Sequence, residues 1–338
     1  MKILIWLKRI LLSILGLILA LIITGFVYEH ISRFQAKSGI PVRGELIDIG
    51  DHKLNIKIKG TGGPLVVFEA GTDGGGSLVW AKVQDEVSKF TTTAAYDRAG
   101  ILFSERGKNP KTGEAISDEL YRLLQKTGQN GPYILVGHSG AGLTLRSFVA
   151  KYPQEVLGII LVDASHPDQF NRLKKVFGSM TDRQSPLWID KFACITGIVR
   201  MQARNFSFTN ISPTDSINII TRKFLPRSYP AVSEETGNAL QVTEEANKIT
   251  SFGDIPLIVI TGTGESRRAS FPTLEMAKDY EQVFMEMQKD LLTLSTNSKH
   301  ILANKSGHYV QLEQPEIVAE AIKNLVISAT DSIAVTDK

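Results

Sequence analysis

The sequence predicts an α/β protein: a mostly parallel central sheet with helices on both faces, a helical insertion, and an N-terminal helix able to span a membrane. Three observations carry this. Continuously apolar, β-branched runs recur and alternate with helix-like stretches, the pattern of a parallel sheet buried on both faces. One long stretch, 167–252, holds no such run. Near the start, Ile10 to Tyr28 gives nineteen residues without a charge.

That uncharged run is the first element. At about 1.5 Å of rise per residue it covers roughly 28 Å, close to the hydrocarbon thickness of a bilayer and longer than the apolar core of a cleavable leader. Lys2, Lys8 and Arg9 precede it and Glu29 follows, a bias that places the N-terminus in the cytoplasm and the large domain outside. The expectation is a single-pass cell-membrane anchor over residues 1–30, with a removed signal peptide and a secreted domain as the alternative. Residues 31–44, with Ser38, Gly39 and Pro41, read as a tether.

From Glu45 the chain alternates apolar and polar residues on both sides of Gly50-Asp51, an edge hairpin. Buried strands are then expected at 64–70, 91–97, 132–137, 157–163, 255–262 and 299–304, with helices at 77–90, 114–127, 140–152 and 315–328. The domain runs over 45–330, the insertion at 167–252 lies over the strand ends, and 331–338 is a tail.

With 338 residues and 43% apolar content, the chain can bury one large core. A net charge of +3 with no basic run interleaved with aromatics argues against nucleic acid as a partner. Cys194 is the only cysteine, so no intrachain disulfide or thiolate metal cluster forms.

Chemistry concentrates where the strand at 132–137 runs into a helix through Gly137-His138-Ser139-Gly140-Ala141-Gly142. A serine between small residues at such a turn is pushed out of the strand with its hydroxyl exposed, at the edge of the sheet where ligands bind. A serine hydroxyl needs a base near neutral pH. Of six histidines, His30 lies in the tether, His52 in an edge turn, His138 under the serine turn, His166 after a strand and His300 at the start of one. His308 follows the last strand on a Ser-Gly loop, after the serine and the acid in chain order.

The base needs a carboxylate to orient it. Asp163 ends the strand after the serine helix and ranks first; Glu265, in the loop after the next strand, ranks second; Asp254 would sit at the wrong end. Oxyanion donors are expected from the amides of Gly140 and Thr72, with Gly71 allowing close approach. Gly74 to Gly76 are followed by no Gly-Lys-Ser/Thr and are not a phosphate loop.

The segments GHSGAG (137–142), YDRAG (96–100), LVDASHP and SGHYVQLEQPE together make the chain from about 45 to 328 resemble the α/β-hydrolase family. The resemblance implies Ser139 as nucleophile, His308 as base, Thr72 and Gly140 as oxyanion donors, and 167–252 as a cap. Two departures stand out. The loop that carries Gly-x-x-Asp in many members reads Gly262-Thr263-Gly264-Glu265, and Ala70 replaces a common histidine. In the haloalkane dehalogenase branch the acid follows the sixth strand, as Asp163 does; that branch and the epoxide hydrolases use an aspartate nucleophile, against which Ser139 speaks.

The expected function is therefore a membrane-anchored serine esterase that needs no cofactor or metal and takes a small apolar ester. Phe170, Phe177, Trp188, Phe192, Phe206 and Phe208 would form either an apolar entrance or the core of the cap. Lactone or carbon–carbon hydrolysis, peracid formation, and a non-catalytic membrane-tethered module are the other readings.

Overall fold

The computed structural model describes residues 2–178, 186–208, 211–269 and 271–336. Eight strands form one sheet: β1 (Glu45–Asp48), β2 (Lys53–Lys59), β3 (Val66–Glu69), β4 (Thr93–Tyr96), β5 (Tyr133–His138), β6 (Val156–Val162), β7 (Leu257–Gly262) and β8 (Ser298–Ala303). Their order is β1-β2-β4-β3-β5-β6-β7-β8. The hairpin β1–β2 is antiparallel and meets β4 antiparallel, and every pairing from β4 to β8 is parallel. The parallel strands therefore all end on one edge.

The period-two alternation explains two cores. On β5, Ile134 and Val136 enter one apolar cluster, while Tyr133 and Leu135 enter the cluster on the other face. Strand β8 departs from expectation. As the last strand it has an open side; only Ala303 is buried and Leu302 is 53% exposed.

The helices are α1 (Lys2–Gly39), α2 (Ala81–Val87), α3 (Gly113–Lys126), α4 (Ala141–Lys151), α5 (Gln169–Phe177), α6 (Leu187–Ile195), α7 (Ile198–Ala203), α8 (Ser216–Gly237), α9 (Ala239–Asn247), α10 (Glu265–Arg268), α11 (Leu274–Leu291), α12 (Val310–Glu313) and α13 (Pro315–Thr336). The expected helix at 77–90 begins as a tighter turn, Gly76–Trp80, before α2. Helix α11, which buries Ala277, Phe284, Met287 and Leu291 along one face after a Thr273 cap, is an addition to the expected helices.

Two boundaries need correction. Residues 31–39 are not a tether, because α1 continues unbroken to Gly39. Arg33 Nε donates to Glu29 Oε1 at 2.6 Å one turn back, and Ala36 is buried, so this part of α1 is held as helix by docking. The expected tail at 331–338 is helical as far as Thr336; 337–338 lie outside the described residues. Between β6 and β7 the described residues form the five helices α5–α9 and no strand.

Candidate active site

Ser139 leaves the end of β5 with φ +53°, a left-handed conformation that a residue with a side chain rarely adopts. The surroundings hold it there. Its N–H donates to the Val162 carbonyl at 3.2 Å, and its carbonyl accepts from Ser165 N at 2.8 Å. The small neighbours have a measurable purpose: a Cβ on Gly142 would lie 2.7 Å from the Ala164 Cβ, and one on Gly137 would press Leu145 and Ala141. Ala141, where the pattern commonly has glycine, is fully buried and fits.

The side chains of Ser139, His308 and Asp163 meet. Ser139 Oγ donates to His308 Nε2 at 3.1 Å, and His308 Nδ1 donates to Asp163 Oδ2 at 2.6 Å. Asp163 is fully buried, with φ +45°. Its Oδ1 accepts from Gly262 N at 2.9 Å and from the Arg267 guanidinium. Burial alone would push this carboxyl up; Arg267 and the bond to His308 outweigh it, and it ends below its ordinary value of 3.8. Glu265 is not brought to the imidazole: it sits exposed at the start of α10, and His308 Nδ1 is already occupied by Asp163.

The other histidines lie elsewhere or play supporting parts. His138 is buried beneath the turn; its Nε2–H donates to the His308 carbonyl at 2.9 Å, and its ring lies 4.6 Å from the His308 ring. Burial drives His138 down to about 3, so it stays neutral and braces the loop. His52 is buried beside Asp51 and Glu119, His166 Nδ1 accepts from Asp168 N, His300 contacts Thr261, and His30 is exposed on α1.

Gly140 and Thr72 stand side by side: a Cβ on Gly140 would lie 3.4 Å from Thr72 N. Among the described residues neither amide donates to another backbone carbonyl, so both are free to serve a ligand oxygen. Gly71 explains the approach, since its Cβ would come within 2.9 Å of Ser139 Cβ and 3.1 Å of His138 Nδ1. Gly71→Ala is expected to lower kcat on the order of 100-fold with little change in KM, by displacing the serine and the Thr72 amide by fractions of an ångström. Steady-state kinetics on the folded variant checks this.

Sequence reasoning missed the residues that support this group. Arg98, from the YDRAG segment, donates from Nη1 to the Ala70 carbonyl at 2.5 Å and from Nη2 to Gly71 at 2.6 Å; its Nε and Nη2 reach Glu235 of α8 at 2.9 and 2.7 Å. One buried guanidinium thus ties the Gly71–Thr72 loop to the insertion. Beside it, Glu69 accepts from Thr144 Oγ1 at 2.5 Å and lies 3.6 Å from Arg98. Burial raises Glu69 from 4.5 to about 7, against the pull of Arg98. The folded state therefore keeps a proton that the unfolded chain has lost, and stability falls as pH rises from 4.5 through about 7. Glu69→Gln is expected to flatten that part of the profile, read by denaturant titration at a series of pH values.

A cavity of about 250 Å³ opens at Ser139. Its lining mixes apolar Ile116, Leu143, Phe170 and Val242 with charged Arg98, Glu235 and Lys111, whose Nζ donates to the Ala99 carbonyl at 2.9 Å. Of the six aromatics expected in the insertion, only Phe170 lines this cavity. Phe177 stacks on Phe271 and packs tilted against Tyr280, and Phe208 packs edge-on against Tyr309 and Phe206. Trp188 and Phe192 face outward, 70% and 41% exposed. The aromatic entrance is thus corrected: apart from Phe170, these side chains are spread among internal packing and the outer surface.

This sheet order, with a helical insertion after β6 and a serine turn after β5, defines a class. The family model described as the alpha/beta hydrolase fold matches residues 63–315, and the chain belongs to that family. Its relatives include hydrolases, proteins of unassigned activity and a probable transporter. The 2-(acetamidomethylene)succinate hydrolase of Mesorhizobium japonicum is 32% identical, over 83% of this chain and 94% of its own. The uncharacterized protein YbdG of Bacillus subtilis is 23% identical, over 92% of this chain and 94% of its own. A thermophilic esterase from Thermogutta terrifontis shares the fold at a TM-score of 0.55 and 19% identity, over 82% of this chain and 94% of its own.

Proposed function

We propose that the protein is a membrane-anchored serine hydrolase that cleaves compact carboxylic esters through an acyl-enzyme. The observation that carries this reading is the hydrogen-bonded chain Ser139 Oγ–His308 Nε2–His308 Nδ1–Asp163, at 3.1 and 2.6 Å, beside two unengaged amides. Ser139 Oγ attacks the carbonyl carbon while its proton passes to His308 Nε2; Asp163 stabilises the imidazolium, and the Thr72 and Gly140 amides receive the oxyanion. As the tetrahedral species collapses, His308 gives the proton to the leaving alcohol. Water then loses a proton to Nε2 and attacks the acyl carbon, releasing the acid and restoring Ser139.

The cavity volume favours a short acyl or aryl group against Leu143 and Val242 over a long chain held within it. Helix α1, 0% buried over its most apolar window with a mean hydropathy of 2.9, supports anchoring in the cell membrane with the N-terminus cytoplasmic; a signal sequence passes the same test of length and composition. A fluorophosphonate probe on purified protein tests the chemistry, and a panel of esters, lactones and amides, including hemisuccinate esters that could meet Lys111, tests the bond class. An absence of labelling on folded protein, with no ester turned over, favours the non-catalytic module.

A further inference from the structure

Helix α1 is longer than a bilayer needs: 38 residues at about 1.5 Å each extend roughly 57 Å. Its C-terminal part is built into the insertion. Arg200 of α7 reaches Glu29 with Nε at 2.6 Å and Nη2 at 3.1 Å; Arg33 donates to the carbonyls of Cys194 and Pro226 at 3.3 and 3.2 Å; and Gly25 lets the backbone of Thr196 come into direct contact. The contact begins inside the uncharged run. An apolar cleft of about 470 Å³ is lined by Leu21, Ile22 and Gly25 on one side and by Phe192, Ile198 and Met201 on the other.

The depth of that cleft has a consequence that rests on the anchoring reading. If Ile10 to Tyr28 fills the hydrocarbon, Leu21 lies roughly 10 Å inside its outer boundary, and Phe192, Ile198 and Met201, which share its cleft, are carried into the hydrocarbon beside it. The side chains there match. Trp188, Phe192 and Ile195 recur at helical spacing on the exposed face of α6, and Ile198 and Met201 continue it on α7, at 41–70% exposure. About one to two turns further along α1 the chemistry changes. A groove of about 390 Å³ between Tyr28, Ser32 and Gln35 of α1 and α7–α8 is lined by Arg200, Arg204, Arg222 and Lys223, with no acidic side chain in its lining. Glu29 takes Arg200; among the described residues no carboxylate pairs with the other three.

We propose that the α6–α7 end of the insertion is a lipid-binding surface: it enters the outer leaflet beside α1, and the phosphate of an anionic phospholipid occupies the groove of Arg204, Arg222 and Lys223. An apolar cleft at acyl depth leading to a basic groove at headgroup depth has the polarity sequence of such a lipid. The insertion that covers the cavity at Ser139 is then held at the membrane surface, where apolar esters are concentrated.

The full chain, reconstituted into phosphatidylcholine vesicles, tests this through Trp188. Trp80 is fully buried, so in a Trp6→Phe background Trp188 is the exposed reporter. Brominated acyl chains are expected to quench it, and brominated phosphatidylglycerol at equal mole fraction to quench at least threefold more effectively than brominated phosphatidylcholine. The combined Arg204→Gln, Arg222→Gln and Lys223→Gln variant is expected to lose that preference while keeping the quenching by phosphatidylcholine. Trp188 quenched by aqueous acrylamide but not by brominated chains overturns insertion, and equal quenching by the two lipids overturns the anionic site. Carbonate extraction of the same vesicles reports α1 separately: release of the protein ends the anchoring reading and this proposal with it, whereas retention without Trp188 quenching ends the proposal alone. Ester turnover in detergent reports whether each variant is folded.

Discussion

Ser139→Ala is expected to lower kcat/KM for a small ester by roughly 10⁴-fold or more and to abolish fluorophosphonate labelling, since an acyl-enzyme has no other nucleophile here. In free energy this is at least about 5 kcal/mol of lost transition-state stabilisation. The fold should persist, because the turn is held by backbone bonds to Val162 and Ser165 that alanine keeps. A companion variant separates chemistry from strain. At φ +53° any residue with a Cβ is strained, and Ser139→Gly should relieve it, raising stability by about 1 kcal/mol while remaining equally inactive. Thermal unfolding alongside labelling measures both. A Ser139→Ala protein that still turns over ester would remove the serine mechanism.

The parts of this arrangement that were legible in the sequence are those whose residue types are dictated locally. Strands buried on both faces must be apolar and β-branched, so β3 through β7 stand out; β8, with one open side, alternates less clearly, and its sequence suggests more burial than it has. Ser139 and His308 could be placed because the turn restricts its neighbours to small residues and because the loop after the last strand ends on the same edge as β5. Arg98, Glu235 and Arg267 carried no local signal for their roles, and His138, placed under the turn by its position, gave no sign of its bond to the His308 loop. Their partners lie 137 residues away for Arg98–Glu235, 104 for Arg267–Asp163 and 170 for His138–His308, and only the fold joins them. The same holds for residues 31–39, which the Ser38-Gly39 pair shortly before Pro41 makes read as irregular while docking on the insertion keeps them helical.

The loop after β7 shows why the choice of acid could not be closed from sequence. Gly262 and Gly264 let its backbone pack directly on Ser306 and Gly307: a Cβ on Gly264 would lie 2.6 Å from Ser306 N. Gly264 N donates to the Ser306 carbonyl at 2.7 Å. The loop is thus sewn to the His308 loop by main chain, its carboxylate turns outward as Glu265, and α10 directs Arg267 inward to Asp163 instead.

Asp163→Asn is therefore expected to lower kcat by about 10³- to 10⁴-fold, whereas Glu265→Gln stays within about twofold of the parent. The reason is a proton's position: an asparagine amide facing His308 Nδ1 as a donor forces the proton onto Nε2, where it can no longer accept from Ser139. Backbone strain does not confound the comparison, because asparagine tolerates φ +45° as well as aspartate does. Stability should also fall, by roughly 3 kcal/mol, since the buried Arg267 loses the carboxylate that balances it. That term has a pH signature. With its folded value below 3.8, Asp163 contributes stability that is present above that pH and is lost as pH falls through the lower folded value. Acid titration of the parent and of Asp163→Asn should differ there, while Glu265→Gln tracks the parent. An Asp163→Asn enzyme with full activity, or a Glu265→Gln enzyme without it, would reassign the acid to the β7 loop and require that loop to open from its backbone contacts during turnover.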